Sequence, residues 1–410
     1  MTLAADTAPP FPPARPVATR LAWPFLVVGL ISAAFFIWGY FLQSDHELFF
    51  RAYLFAFMYF LGLALGGLCL VMLHNLTGGP WGNAPRVVGH AASLTLPLLT
   101  ILFIPILFGL PALYPWARPS EVAASDVLQH RQVYLNVPFF IGRAVIYFAV
   151  WCVLALALSR LHGRWKATGD LRILYRIRGL SAGGLVIYLL TMTNAGVDWI
   201  MSRDIDFYST AYGFILTTGQ TLAALAFAIV MARFRPIRNS AVAPPPRFQR
   251  GILNDTGNVL LTIVITWTYV SFMQFLVIWM GNSGEDNTWY VQRGLSQEST
   301  WRWIALALVL GHFFIPFYVL LFRAAKQYVP ALTAVAWLLL VSHVLEQYWM
   351  IAPTGHKAPV FNFNWLDVAA FVAVGGVWFT CFAWLLQRLA SAPLFSPDSP
   401  PSDLGASSRG

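Results

Sequence analysis

The sequence predicts an all-α polytopic membrane protein with about ten transmembrane helices. Three observations predict it. First, only 10% of the 410 residues are charged while 58% are hydrophobic, with a mean hydropathy of +0.64. A soluble domain carries about 25% charged residues, and so sparse a charge cannot cover a water-facing surface. Second, the chain divides into apolar runs of the length that crosses a bilayer, about 20 residues each. Third, the basic residues gather in alternate connections between these runs. Aromatic residues at 16%, with 17 Trp, suit the interfacial belts of such a protein.

Taken in order, span one covers 21–41 and contains Pro24. Span two, 51–73, carries Gly62, Gly66 and Gly67, which read as a site of close helix packing. Span three is placed at 93–114 with Pro97 and Pro105, and span four at 136–158 with Pro138 near its start. Membrane helices tolerate such prolines because neighbours can satisfy the freed carbonyls. Spans five to ten follow at 177–199, 210–232, 258–280, 302–323, 329–352 and 365–388, with Pro316 inside span eight. Residues 1–20 and 389–410 are rich in Pro, Ser and Gly and are expected to be disordered tails. No cleavable signal peptide is expected, because the first apolar run continues for a full span.

One side of the predicted bundle carries 18 Lys and Arg and the other 7. The densest connections are the fourth (Arg160, Arg164, Lys166, Arg172, Arg176, Arg178) and the sixth (Arg233, Arg235, Arg238, Arg247, Arg250). The positive-inside rule then puts both termini in the cytoplasm. The net charge of +9 does not mark a nucleic-acid binder, since these residues form no continuous face. The long, Pro-rich sixth connection divides the chain in two. A first four-helix bundle is expected over about 51–199 and a second over about 210–352, with the first and last helices peripheral.

Charge inside a span is costly and points to function by default. Arg143 lies seven residues into span four, about 10 Å from its outer end. Glu346 lies six residues before the outer end of span nine, with His343 on the same helix face. Asp198 closes span five and Asp367 opens span ten, both on the outer side, and the plain reading of each is a residue at the membrane interface that caps a helix end. His312 sits near the middle of span eight, and Gln274 six residues from the outer end of span seven. Arg143 and Glu346 can be read as a structural ion pair, or as parts of a proton path or a quinone head-group site. On the second reading Arg143 and Asp198 are electrostatic neighbours of Glu346, and Asp367 is the outer exit.

His312 and His343 at similar depth could ligate a b-type haem, but a multihaem cytochrome calls for a second pair and the sequence offers none. The three cysteines, Cys69, Cys152 and Cys381, lie inside apolar runs without CxxC or CxxCH spacing, so disulfides, zinc and c-type haem lack support. No Walker motif, dinucleotide fingerprint or nucleophile elbow is present.

Several segments resemble one family. They are RAYLFAFMYFLGLALGGLCLVMLHNLTGGPWG (51–82), LYPWA (113–117), YLNVPFFIGRAVIYFAVW (134–151) and VDWIMSRDIDFYST (197–210), followed by WTYVSFMQFLVIWMGN (267–282), HFFIPFYVLLFR (312–323) and WLDVAAFVAVGGVW (365–378). Together they resemble the second polytopic, polysulfide-reductase-like subunit of bacterial alternative complex III, a quinol:cytochrome c oxidoreductase. Phe207 stands where the family's SxDxxWYST-like stretch has Trp. The resemblance implies ten helices in two four-helix bundles in the bacterial inner membrane. It implies no metal or haem in this subunit, and a quinone or quinol as the one small ligand to consider. It also implies partners: a sister polytopic subunit with the better supported quinol site, an iron–sulfur subunit, multihaem cytochrome c subunits and a terminal oxidase. A proton-conducting role is what the resemblance implies for the chain itself. Two other readings remain at this stage, an independent secondary transporter and a scaffold whose buried charges only pair with one another.

Overall fold

The computed structural model describes residues 17–42, 46–205, 207–234, 246–281, 284–295, 299–353, 361 and 363–391. Among them there is no strand, and ten helices are long and apolar enough to cross a membrane. They are α1 (Trp23–Leu42), α2 (His46–Thr77), α3 (Pro85–Phe108), α4 (Val137–Thr168) and α5 (Leu171–Arg203). After them come α6 (Tyr212–Ala232), α7 (Arg250–Gly281), α8 (Arg302–Leu321), α9 (Val329–Ile351) and α10 (Trp365–Leu389). The protein is therefore an all-α, multi-pass membrane protein.

The boundaries differ from the expected ones where polar residues are buried. Helix α3 begins at Pro85 rather than near residue 93, because Arg86 and His90 lower the local hydropathy while packing inside the protein. Beyond Phe108 the chain forms short turns, since Pro111 and Pro115 each start a new helical piece. The first helix extends back to Val17, so the last residues of the expected N-terminal tail are helical. The rest of both tails, and the Pro-rich centre of the sixth connection, lie outside the described residues.

Local signals fix the helix ends. The Asn136 side chain accepts the Phe139 N–H at the start of α4, with Pro138 in the first turn. Gly169, at φ +66°, ends that helix in the left-handed conformation that glycine adopts freely. Asp170 then caps α5 by accepting the Arg172 N–H.

Helix α2 is the centre of the molecule. It touches α3 and α5 on one side, α6 and α9 on the other, and α10 on a third. Helices α2 to α5 pack in one group, with α3 on α4 and α4 on α5. Helices α6 to α9 pack in another, with α6 on α7, α7 on α8 and α8 on α9. The groups join along α2–α6 and α5–α6. Helix α1 packs along α10, where Gly29 and Gly376 let the two backbones meet, and α10 in turn lies on α2 and α3.

Candidate functional site

The second helix group brings three of the expected residues together. His343 Nδ1 lies 2.8 Å from Glu346 Oε2, and His312 Nδ1 lies 3.9 Å from the same oxygen. The other carboxylate oxygen accepts a 2.6 Å hydrogen bond from the Trp267 indole N–H. All three residues are buried. The i, i+3 spacing puts His343 and Glu346 on one face of α9, while α7 supplies Trp267 and α8 supplies His312.

Helix α8 delivers His312 through an irregularity. Residues Val309–Phe314 form a π-helical turn, and Pro316 has no N–H to offer the His312 carbonyl one turn earlier. The imidazole packs over the Trp267 ring at 4.1 Å between centroids, and neither of its nitrogens has a hydrogen-bond partner. Gly62 of α2 and Gly219 of α6 close the site from behind. A side chain at Gly62 would press on Gln220 and meet the His343 ring, and one at Gly219 would press on the Glu346 carboxylate.

In front of Glu346 lies a cavity of about 650 Å³, within the range of pockets that bury a drug-sized ligand. Its walls are mainly aromatic and aliphatic: Phe207, Trp267, Phe275, Trp289, Phe313 and Trp349 are among them. Polar groups are few and include Glu346, Ser271 and Gln274. Helices α7 and α8 run close along Ile315–Leu321 and separate toward Arg302–Leu308. Tyr269, Phe272, Val309 and Phe314 both line the cavity and stand exposed on the outside of the protein. The cavity therefore opens sideways between two helices, toward lipid.

The end of α9 is held from three directions, which fixes the roof of this cavity. Four successive carbonyls there have no partner within the helix. Arg293 donates to the carbonyls of Trp349 and Met350, Arg203 to that of Ile351, and Arg51 to that of Ala352. Cations also suit the negative end of a helix dipole. Burial pulls the Arg293 guanidinium down to about 10, still charged at neutral pH. Its face lies over the Trp289 ring at 3.9 Å.

The other expected residues are elsewhere. Arg143 does not pair with Glu346. It makes a two-pronged bond to Asp198, with 2.8 and 2.9 Å contacts, and Tyr147 donates to the same carboxylate at 2.9 Å. The planar guanidinium also donates to the Tyr134 carbonyl and lies over the Tyr134 ring. This is a satisfied ion pair inside the first helix group, so neither residue is a neighbour of Glu346. Asp198, placed at an interface from its sequence position, is fully buried. Asp367 is also buried, accepts from Tyr348 and from the Asn364 N–H, and lies 3.8 Å from Arg51. Gln274 is on the cavity wall, its carbonyl taken up by the Ser209 hydroxyl at 2.7 Å.

Sequence reasoning missed a second histidine group. His90 and His162 are buried with ring centroids 4.7 Å apart, and His162 also contacts Asn75, which donates to Ser181. It also missed Gln220, whose carbonyl accepts the Tyr188 hydroxyl at 2.7 Å where the two groups of helices meet. Neither could be found by looking for charge within a span, because the histidines sit near span ends and the others are uncharged.

The chemistry open to the cluster is limited. Two imidazoles and a carboxylate can exchange protons, and such a triad can also hold a divalent cation, since its ligand atoms lie within 4.8 Å of one another. The two imidazoles lie 6.3 Å apart between ring centroids, with the Glu346 carboxylate facing the Nδ1 of each. Compared with known proteins, the chain matches no family model and no curated sequence.

Proposed function

We propose that this chain is a membrane subunit of a quinol-oxidising respiratory complex, and that the cavity at Glu346 takes the quinol or quinone head group. The observation that carries the reading is the lipid-facing aromatic cavity with one buried carboxylate, backed by two histidines, at its inner wall. A quinol lives in the bilayer, so a lateral opening is the entrance it needs. Its ring suits aromatic walls, and its hydroxyl needs an acceptor.

On this reading Glu346 accepts the hydroxyl proton, and His343, hydrogen-bonded to it, takes the proton onward. Onward conduction through the chain is part of the same proposal: His343 Nε2 has no hydrogen-bond partner, and the Gln220 carbonyl accepts the Tyr188 hydroxyl at the seam with the first helix group. Oxidising a quinol releases two protons and two electrons. Nothing in this chain's cysteine and histidine pattern supplies a redox centre, so the electrons go to iron–sulfur and haem partners. Those partners, a sister quinol-binding subunit and a bacterial inner-membrane location are parts of the same proposal, resting on the segments named above. The Arg143–Asp198 pair serves as structure and not as part of the proton route.

The test is binding of the reduced form, decylubiquinol, to the full chain in lipid nanodiscs under anaerobic conditions. Glu346→Gln keeps the shape and removes the charge-assisted hydrogen bond, which is worth roughly tenfold to a hundredfold in affinity. A loss of that size is expected, and unchanged affinity overturns the reading. The orientation is tested separately. Both termini are expected in the cytoplasm from the basic asymmetry, so an alkaline phosphatase fused after residue 391 should be inactive, and an active fusion reverses the orientation.

A further inference from the structure

We propose that His312, His343 and Glu346 form a reversible site for a zinc-class divalent cation, and that such a cation competes with quinol for the Glu346 carboxylate. The competition rests on the reading of the cavity as a quinol site. The metal site stands on its own residues.

Glu346 differs from the other buried acids of the spans. Asp198 is gripped by Arg143, and Asp367 lies 3.8 Å from Arg51. Glu346 is buried too, yet among the described residues its ion-pair partners are His312 and His343, with no arginine or lysine. A buried carboxylate without a fixed positive partner is costly, and a divalent cation supplies the missing charge. Both nitrogens of His312 are buried without a hydrogen-bond partner, so no other bond competes for its lone pair.

The spacing fits a small cation. A tetrahedral zinc with bonds of about 2.0–2.2 Å sets its ligand atoms about 3.3–3.6 Å apart. Here the Nδ1 atoms of His343 and His312 lie 2.8 and 3.9 Å from Glu346 Oε2, on either side of that spacing, and the ligand atoms of all three residues lie within 4.8 Å of one another. Side-chain shifts of about 1 Å bring them to bonding distance. The Trp267 N–H holds the other carboxylate oxygen, as an outer-shell donor does in built metal sites. Two histidines and one glutamate are a recurring zinc ligand set with a fourth position left open, and imidazole favours zinc over magnesium or calcium. Glu346 is the member of the three that lines the cavity, so the fourth ligand comes from that side. The route from water is short. Glu346 lies five residues before the end of α9, about 8 Å, and Phe207, Trp289 and Tyr290 bring connections between the spans onto the cavity. With Oε2 committed to a cation, Glu346 no longer accepts a quinol hydroxyl.

The experiment titrates zinc ion, with magnesium as control, into the full chain in chelator-treated nanodiscs and follows binding by calorimetry. One site is expected for zinc and none for magnesium. His312→Ala and Glu346→Gln are each expected to weaken zinc by more than about tenfold, since even an outer-shell change costs about 10–100-fold. His312→Gln, which fills more of the ring's volume, reads the same loss if the alanine variant does not fold. No zinc binding, or an affinity that survives these variants as a site at exposed His130 would allow, overturns the metal site. Decylubiquinol is then titrated anaerobically with zinc at about ten times its Kd, where binding about tenfold weaker than without zinc is expected, and His312→Gln should abolish the difference. If zinc binds through the three residues and decylubiquinol affinity does not move, the competition is overturned and the metal site stands. If decylubiquinol binds neither with nor without zinc, the quinol reading falls while the zinc titration still stands.

Discussion

Asp198→Ala is expected to destabilise the protein by about 3–5 kcal/mol, the usual result of removing one partner from a buried ion pair. The loss has a clear origin. Arg143 would keep its charge in the helix group with both of its carboxylate contacts gone, leaving the Tyr134 carbonyl and the Tyr134 and Phe139 rings. The Tyr147 hydroxyl would lose its acceptor as well. Thermal unfolding in detergent, followed by tryptophan fluorescence, measures this. Asp198→Asn retains an acceptor and should lose less. Asp126, exposed in the connection before α4, should tolerate alanine within about 0.5 kcal/mol. An Asp198→Ala midpoint equal to the wild type would mean that the pair is not held as described. A quinone affinity that fell with it while stability held would return Arg143 and Asp198 to the binding site.

This pair also shows what the sequence could and could not reveal. Arg143 and Asp198 stand out because a charge in a hydrocarbon layer needs a reason. Their partnership does not stand out, because the two residues are 55 positions apart and the choice between Asp198 and Glu346 is made by helix packing. Hydropathy placed the spans well, since lipid exposure writes itself into composition over about 20 residues. It misplaced α3, where half-buried Arg86 and buried His90 look polar to any window.

Around Glu346 the legible parts were the acid, His343 one turn before it, and His312. Trp267 was illegible as a site residue, since in an apolar run tryptophan counts as lipid-facing although its N–H must find a partner when buried. The arginines that cap α9 were read only as topology signals. The cavity itself is a gap between α7 and α8, and no pattern of residues along one helix reports a gap between two.

The second large effect is expected at Gly66. A methyl group there would fall on the backbone carbonyl of Gln220 and crowd the Ala224 side chain. The obstacle is mainly backbone, not the flexible end of a side chain, so α2 and α6 must move apart for Gly66→Ala to fit. Overpacking of this kind costs about 1–3 kcal/mol and occasionally more, and the rigid neighbour puts Gly66→Ala at the upper end. Gly142, on α4 with open space where a Cβ would go, supplies the control and should tolerate alanine.

The consequence reaches the site, because α6 carries Gly219 against Glu346 and His343. Displacing α6 opens space behind the carboxylate and the His343 ring. Decylubiquinol affinity should therefore fall along with stability in Gly66→Ala. The cavity wall formed by α7 and α8 lies on the far side of Glu346 and is not touched directly. If Gly66→Ala unfolds at the wild-type temperature, the close approach of α2 and α6 is wrong. If it loses stability but binds decylubiquinol with full affinity, then the position of Glu346 is set by α7 and α9 alone, through Trp267 and the arginine-held end of α9.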